Sequence, residues 1–505
     1  MSSLQYYSDG KLIRLRTEAV DLESEAAAAR PARRSRSGST SSGPGTETPV
    51  SHAQHAMQAV QAQHQRLAPL FNDLQPDTRL AVLTGGAAEC TVLLTETLVL
   101  ESPNQALLRR LSQAYGVRVV LEGSHGKVLL RAPQAGLQGV VTVIQAARDA
   151  YEHGDGRHAA HPNFIRILRQ RSPTSSGRTP LWNHLNRGNP GVRGADVAAH
   201  AAWTISQGEP SVRVAILDEG VDTRHPALRA AVVAEADFVA GQSHARPDGN
   251  DAHGTACAGI VLSRSKSWPG LASGCSLVAA RIAKGDGQGG WVFDDFHTAD
   301  AVDWCWSKAQ AAVLSNSWGG GPPADAISNA FDRARRQGRG GLGAVVVCAT
   351  GNDNGPVGFP ATMDDVLSVG ASTPWDERKS PSTADGENWG SNFGPSIDLL
   401  APGVWIACAD IRGKAGYSNG NYTQSFNGTS AAAPHAAAGA ALVLSVAPLL
   451  GEAQVRQVLS QSCDKLPGSN AWNRFEGHGR LNLHAALRLA LRSALRSAPS
   501  LQAAL

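Results

Sequence analysis

Two hydrophobic rhythms divide the chain. Between about Asp77 and Arg169, CTVLLTETLVL (90–100), VRVVLEGS (117–124), KVLLRAP (127–133) and HPNFIRIL (161–168) read as strands. PNQALLRRLSQAYG (103–116) and LQGVVTVIQAARDAYEHG (137–154) between them carry apolar residues at helical spacing. The resulting order β-α-β-β-α-β predicts a small ferredoxin-like α+β domain over residues 77–170. Beyond about Ser172 the apolar runs become continuous: VRVAILD (212–218), SLVAARIAK (276–284), AAVLSNS (311–317), GAVVVCAT (343–350) and DVLSVGA (365–371), with helical stretches such as FDDFHTADAVDWCWSKAQ (293–310) between them. Strands apolar on both faces and alternating with helices predict an α/β domain over 171–488, a mostly parallel sheet with helices on both faces. Ligands of such sheets bind where strands end at their carboxyl side.

The flanks are simpler. QYYSDGKLIRLRTEAVDL (5–22) predicts a hairpin turning at Asp9-Gly10 within an N-terminal segment 1–25. Residues 26–76 form a Ser-, Gly-, Pro- and Arg-rich linker followed by a Gln/Ala-rich helix. The linker's Arg30, Arg33, Arg34 and Arg36 read as solvated charge. His52, His55 and His64 share that helix with no carboxylate or thiol beside them, so no metal site is read there. A helical tail, HAALRLALRSALRSA, closes the chain, with 489–505 beyond the α/β domain.

Composition narrows the partners. The 505 residues are 42% hydrophobic with 53 glycines, enough for two or three folded units. A formal net charge of +3 argues against nucleic acid as the main partner. Ala431–Leu450 is the longest apolar stretch, but Pro434, His435, Ser445 and Pro448 make it a buried helix rather than a membrane span. No secretory leader is visible, and seven dispersed cysteines without CxxC pairs fit reduced thiols, so a cytoplasmic chain is expected, with unconventional export as the alternative.

The chemistry gathers at strand and helix ends. Asp218 closes VAILD, His253 opens a small-residue helix in DAHGTACAGI, and Ser430 stands in FNGTSAAAP among residues with almost no side chain. A carboxylate that fixes an imidazole, an imidazole that takes a hydroxyl proton and a hydroxyl at a helix amino end are together enough to make a reactive nucleophile. Two other motifs yield to this one. Gly285, Gly287 and Gly290 spell GxGxxG after a strand, but Asp300 and Asp303 lie in a helix where a nucleotide site needs an acid at a strand end. Asn421 and Asn427 head glycosylation sequons, the second inside the Ser430 motif.

DEGVDTRHP, HGTACAG and FNGTSAAAPHAAAGA, in the order Asp, His, Ser, resemble the three signatures of the subtilases, the subtilisin-like serine peptidases, and the resemblance runs from about residue 175 to 485. It implies peptide-bond hydrolysis through an acyl-enzyme, with Asp218, His253 and Ser430 as triad and Asn352 of CATGNDNG as oxyanion donor. It also implies cleft walls at Ser317, Trp318 and Gly319 and at Gly287, Gln288 and Gly289, with Trp291 beside an apolar subsite, and polypeptides as substrates. The domain before it resembles the family's propeptide, an intramolecular inhibitor, with cleavage expected between about Ile165 and Arg178.

Three departures matter. Glu219 stands where most of the family has Thr or Ser, and a second carboxylate beside Asp218 can raise one pKa; a catalytically silent scaffold is the alternative it raises. IVLSRSKSWPGLASGCS (260–276) lacks the oxygen-rich calcium loop, so no cofactor is expected, with calcium as an alternative that the sequence does not support. Asp353 near the primary pocket suggests a basic residue before the cut. A simple esterase is disfavoured, since no GxSxG elbow occurs.

Overall fold

The computed structural model describes residues 4–8, 11–15, 17–19, 81–83, 90–153, 160–169, 181–285 and 290–497. Most of the linker, the segment carrying His52, His55 and His64, the Gly287–Gly289 wall and residues 170–180 lie outside the described residues.

Strands β1 (Leu4–Ser8) and β2 (Lys11–Leu15) pair antiparallel with Ser8 opposite Lys11, the register a two-residue connection requires. Tyr6 anchors this hairpin: it is fully buried against Val92, Leu94, Val140, Ile144 and Phe164 of the small domain. Strands β3 (Thr17–Ala19) and β4 (Ala81–Leu83) join the same sheet beside the first part of β5 (Cys90–Glu101). Helix Gln105–Tyr115, β6 (Arg118–Glu122), β7 (Lys127–Arg131), helix Gly136–His153 and β8 (Ala160–Arg169) follow in the order the sequence predicts. Across the sheet β8, β5, β7 and β6 lie side by side, all antiparallel, so each helical crossover passes over one strand, from β5 to β6 and from β7 to β8, as in a ferredoxin-like unit.

The larger domain is built on β9 (Arg213–Asp218), β10 (Val232–Asp237), β11 (Ser276–Arg281), the short β12 (Lys284–Gly285) and β13 (Gly290–Asp294), β14 (Val313–Asn316), β15 (Val345–Ala349), β16 (Leu367–Ser372) and β17 (Leu399–Pro402). Seven of them form one parallel sheet in the order β10-β11-β9-β14-β15-β16-β17. Val214 and Ile216 of β9 point into one apolar cluster with the helices His253–Leu262 and Thr429–Val446. Ala215 and Leu217, one residue out of phase, point into the other with the helices Asp295–Ser307 and Asp325–Gln337. Both faces are covered, which is why these strands read as unbroken apolar runs. β18 (Ile406–Ala409) and β19 (Tyr422–Phe426) form a separate antiparallel pair leading into the Ser430 helix. Leu483, Ala486, Leu487 and Ala490 of the last helix belong to the first cluster, at helical spacing.

Thr429–Val446 is the one described helix long and apolar enough to cross a membrane, and 83% of its window is buried inside the protein. Cys257, Cys275, Cys305, Cys348, Cys408 and Cys463 are free thiols.

The small domain sits on the outer helices of the large one, and polar side chains join them. His161 Nε2 accepts from the backbone N–H of Ala326, and Asn163 Oδ1 from that of Phe296, so two helix amino ends are capped from the other domain. Buried Lys127 lies 2.9 Å from Asp303 and 3.1 Å from Asp300, and Glu101 meets Arg333 and Asn329. The Tyr6 hydroxyl donates to the carbonyl of Pro323. Finally β8 pairs antiparallel with β13, Arg166 opposite Phe293 and Arg169 opposite Gly290, so one sheet runs across both domains.

Candidate active site

Asp218 is the last residue of β9, a central strand, and is fully buried. Its two carboxylate oxygens lie 3.0 and 3.1 Å from His253 Nδ1, and Oδ1 also accepts from the backbone N–H of Glu219. Such a contact makes Nδ1 the protonated nitrogen and leaves Nε2 as the acceptor.

His253 begins its helix against this strand end. Gly254 permits the approach, since a Cβ there would run into the carbonyl of Gly220 and come within 2.8 Å of Asp218 Cβ. The imidazole is gripped by rings, with Trp291 4.5 Å away and Phe426 5.2 Å away, both edge to face. Cys257, one turn further on, places Sγ 3.7 Å from His253 Nδ1 and 3.5 Å from the Ser430 carbonyl, which puts His253 and Ser430 on either side of one small residue. Burial pushes the Cys257 thiol far above its ordinary range, so it stays neutral here.

Ser430 is the second residue of helix Thr429–Val446, and every other residue from Thr429 to Leu444 is buried. The only hydroxyl of that stretch to reach the surface is therefore the predicted nucleophile. Gly428, at φ +113°, turns the chain from β19 into the helix in a conformation other residues resist. The Ser430 hydroxyl donates to the carbonyl of Ser317 at 3.3 Å. Ser317 Oγ in turn donates to the Ser430 carbonyl at 3.0 Å.

Asn352 follows β15. Its Oδ1 accepts from both the backbone N–H and the hydroxyl of Thr429, at 2.8 and 3.0 Å. Those two donors orient the amide, so Nδ2 faces away from Thr429, beside the start of the Ser430 helix. Thr429 is a site residue the sequence reading missed; its place directly before the nucleophile was the available signal.

The remaining expected positions behave differently from one another. Trp291 is buried on β13 against His253. The indole of Trp318 packs inward beside Phe293 and Phe331, so any contact with a peptide falls to its main chain. Gly319 lies flush against the carbonyl of Phe359. Asp353 is half-buried, with Oδ2 3.3 Å from the side-chain amide of Asn392. Gly287 and Gly289 lie outside the described residues.

Glu219, next to Asp218, points its carboxylate at the start of the His253 helix. It is buried, and its Oε1 accepts from the backbone N–H of His253 at 2.7 Å. A carboxylate there meets the positive end of a helix, a favourable place for charge.

Asp218 and Asn352 thus stand at the carboxyl ends of β9 and β15, and His253 and Ser430 at the starts of two helices packed on the same face of the sheet. A family profile described as the subtilase family, Peptidase_S8, matches residues 209–479. The "Calcium-dependent protease" of Trichormus variabilis is 33% identical over 378 residues, covering 66% of this chain and 54% of that protein. This chain thus spans about half the length of that relative. "Subtilisin DY" of Bacillus licheniformis is 33% identical over 283 residues, 55% of this chain and 90% of the other. Among solved structures, a protease from Pseudoalteromonas arctica matches with a TM-score of 0.52 at 23% identity, covering 63% of this chain and all of that one, a likeness of fold.

Proposed function

Because the chain belongs to the subtilases, the family of subtilisin-like serine peptidases, we propose that it is a serine endopeptidase, made with its inhibitor attached, that cleaves polypeptides through an acyl-enzyme on Ser430. One observation supports this reading: Asp218 and His253 are joined at 3.0 and 3.1 Å, and Cys257 Sγ lies 3.7 Å from His253 Nδ1 and 3.5 Å from the Ser430 carbonyl. In the proposed first step Ser430 Oγ leaves the Ser317 carbonyl and donates to Nε2 of His253. The oxygen then attacks the peptide carbonyl carbon while Nε2 takes its proton, and the imidazolium forms against the buried Asp218 carboxylate. The new oxyanion accepts from Nδ2 of Asn352 and from a backbone N–H near Ser430. His253 returns the proton to the leaving amine, and a water deprotonated by the same imidazole releases the acyl group.

The small domain acts in this proposal as an intramolecular inhibitor. Its support is β8, which covers the edge of β13, the strand that carries Trp291 to His253. An extended substrate would use such an edge through main-chain hydrogen bonds. Residues 165–168 are paired on both sides, with β5 and with β13, and Arg169 is paired with β13, so the cut is proposed among residues 170–178. The Asp353 carboxylate, oriented by Asn392, is proposed to favour a basic residue before the cut, which a peptide library comparing Arg, Lys and Leu there decides.

A relative is named a calcium-dependent protease, and two groups of acids and other ligands among the described residues are the candidates to hold such an ion here. The acids Asp237, Asp248 and Asp251 converge on the guanidinium of Arg281, which lies 3.1–3.8 Å from each. Asp218, His253 and Cys257 offer a nitrogen, a thiol and one carboxylate already engaged with one another. Calcium needs six to eight oxygens. Neither group fits it, and no step is routed through it.

The experiment is fluorophosphonate labelling of full-length protein beside Ser430→Ala, with intact mass followed over time and EDTA in a parallel arm. Label on the wild type alone, with a mass loss ending the N-terminal fragment between 170 and 178, is the expected result. No label before or after limited proteolysis of the small domain would establish a silent scaffold instead.

A further inference from the structure

Asp218 and Glu219 are consecutive residues at the end of one strand, both buried, and both reach His253 at different points. Asp218 holds the ring through Nδ1, while Glu219 holds the backbone through its N–H at 2.7 Å. The His253 helix needs such a partner, because its own N-cap residue, Ala252, has no side chain able to accept a hydrogen bond. Glu219 is itself locked: its N–H donates to Asp218 Oδ1 at 2.9 Å and its carbonyl accepts from Arg281 Nε at 3.2 Å.

From this we propose that Glu219 is a positioning residue for the hydrolysis, fixing the main chain of His253 against Asp218 and placing a second negative charge beside the imidazole. The inference rests on the peptidase reading above. Two grips from one strand end fix the ring nitrogen and the main chain of His253 together, while Trp291 and Phe426 confine the ring from its sides. The charge adds to this, because the imidazolium formed on proton transfer is a cation in a buried site. The ionisable groups gathered around Glu219 are Asp218, His253, the Arg281 guanidinium, the Cys257 thiol and the Tyr417 phenol. Burial first, and then the two carboxylates among other groups, keeps that phenol and that thiol neutral. Arg281 is drawn to Asp237 and Asp248 and donates through Nε to the Glu219 carbonyl.

Two variants separate position from charge. Glu219→Gln keeps an acceptor for the His253 N–H and removes the charge; Glu219→Ala removes both. Each is made in the full chain and compared with wild type for fluorophosphonate labelling rate, for kcat and KM on a peptide substrate, and for the pH profile of kcat/KM. Melting temperature serves as the control for folding. Glu219→Ala is expected to lower kcat roughly tenfold or more with KM unchanged, the size of a lost hydrogen bond to a charged group. Glu219→Gln is expected to lose less, and its acid limb is expected to move to lower pH, because removing a neighbouring negative charge lowers the pKa of an imidazole. If Glu219→Ala does not fold, the isosteric Gln variant carries the test alone through its acid limb. Wild-type kcat in a folded Glu219→Ala, a fall in kcat matched by a rise in KM, or an unmoved acid limb in Glu219→Gln each overturns the inference. A wild type that takes no label sinks the peptidase reading itself, an outcome distinct from labelled wild type with equally labelled variants.

Discussion

Among the groups that join the two domains, one arginine makes four bonds across the junction. Arg166 of β8 is buried, and its guanidinium forms two bonds to the Asp295 carboxylate, at 2.6 and 3.2 Å, and two more to the carbonyls of Gly320 and Pro322. All four acceptors belong to the large domain, and the Phe359 ring lies 5.4 Å from the guanidinium carbon. Arg166→Ala in the full chain strands the Asp295 carboxylate, which is fully buried, without its cation. Removing one member of a buried pair costs about 3–5 kcal/mol, and each 1.4 kcal/mol is a factor of about ten. The docked state of the small domain should therefore lose more than a hundredfold against the undocked one. Hydrogen exchange of the β13 amides, followed in Ser430→Ala to prevent self-cleavage, reads this opening directly. In the catalytically intact chain, the fluorophosphonate label should appear earlier in Arg166→Ala than in wild type. Adding Asp295→Ala should recover part of the docking energy, since the stranded charge is then gone. Unchanged protection of residues 290–294 in Arg166→Ala, or a double variant no better docked than the single one, would refute the reasoning.

Three further outcomes follow from the site and its supports. In subtilisin, loss of the side-chain oxyanion donor costs about 10²–10³ in kcat; Asn352→Ala should lose a similar factor on a peptide substrate, and wild-type turnover would remove Asn352 from the role. Gly254→Ala should reduce fluorophosphonate labelling and destabilise by about 1–3 kcal/mol in urea melts, because its Cβ meets the Gly220 carbonyl and Asp218; normal labelling and stability would show that the helix can shift. Burial lowers the pKa of His184 to about 3 and of His435 to about 4, below the ordinary 6.5 of an unfolded imidazole. Both are thus neutral when folded, the unfolded chain binds more protons below pH 6.5, and stability should fall from there towards pH 4 by about 1.4 kcal/mol per unit per histidine. Urea midpoints at pH 7 and pH 5 should differ less in His435→Gln than in wild type, and equal differences would count against the assignment.

Much of this was legible because the informative patterns are local. A strand buried on both faces must be apolar throughout, so VRVAILD, AAVLSNS and GAVVVCAT announce themselves without knowledge of their neighbours. Asp218, His253 and Ser430 sit at the ends of such elements with glycine and alanine around them, since the backbone has to pass closely there, and that crowding leaves a local mark. Tyr6 shows the opposite case. Its hydroxyl meets Pro323, 317 residues away, and nothing near Tyr6 in the chain distinguishes it from a hairpin tyrosine facing water. Trp318 is similar: the sequence places it beside a cleft, and only the packing beside Phe293 and Phe331 turns its indole inward.

By itself the sequence determined the two rhythms, the order of the elements, the family resemblance and the candidate reacting groups, all of which depend on residues within one element or one turn. The tertiary structure alone decided what Glu219 does, because the partner of its carboxylate is a backbone N–H 34 residues on. It also decided how Asn352 is oriented, through Thr429 77 residues away, and how the small domain grips the large one, through Arg166 and Asp295 129 residues apart. A side-chain hydrogen bond reaches only about 3 Å, so its partner is set by which elements the packing brings together, and spacing along the chain carries no trace of it.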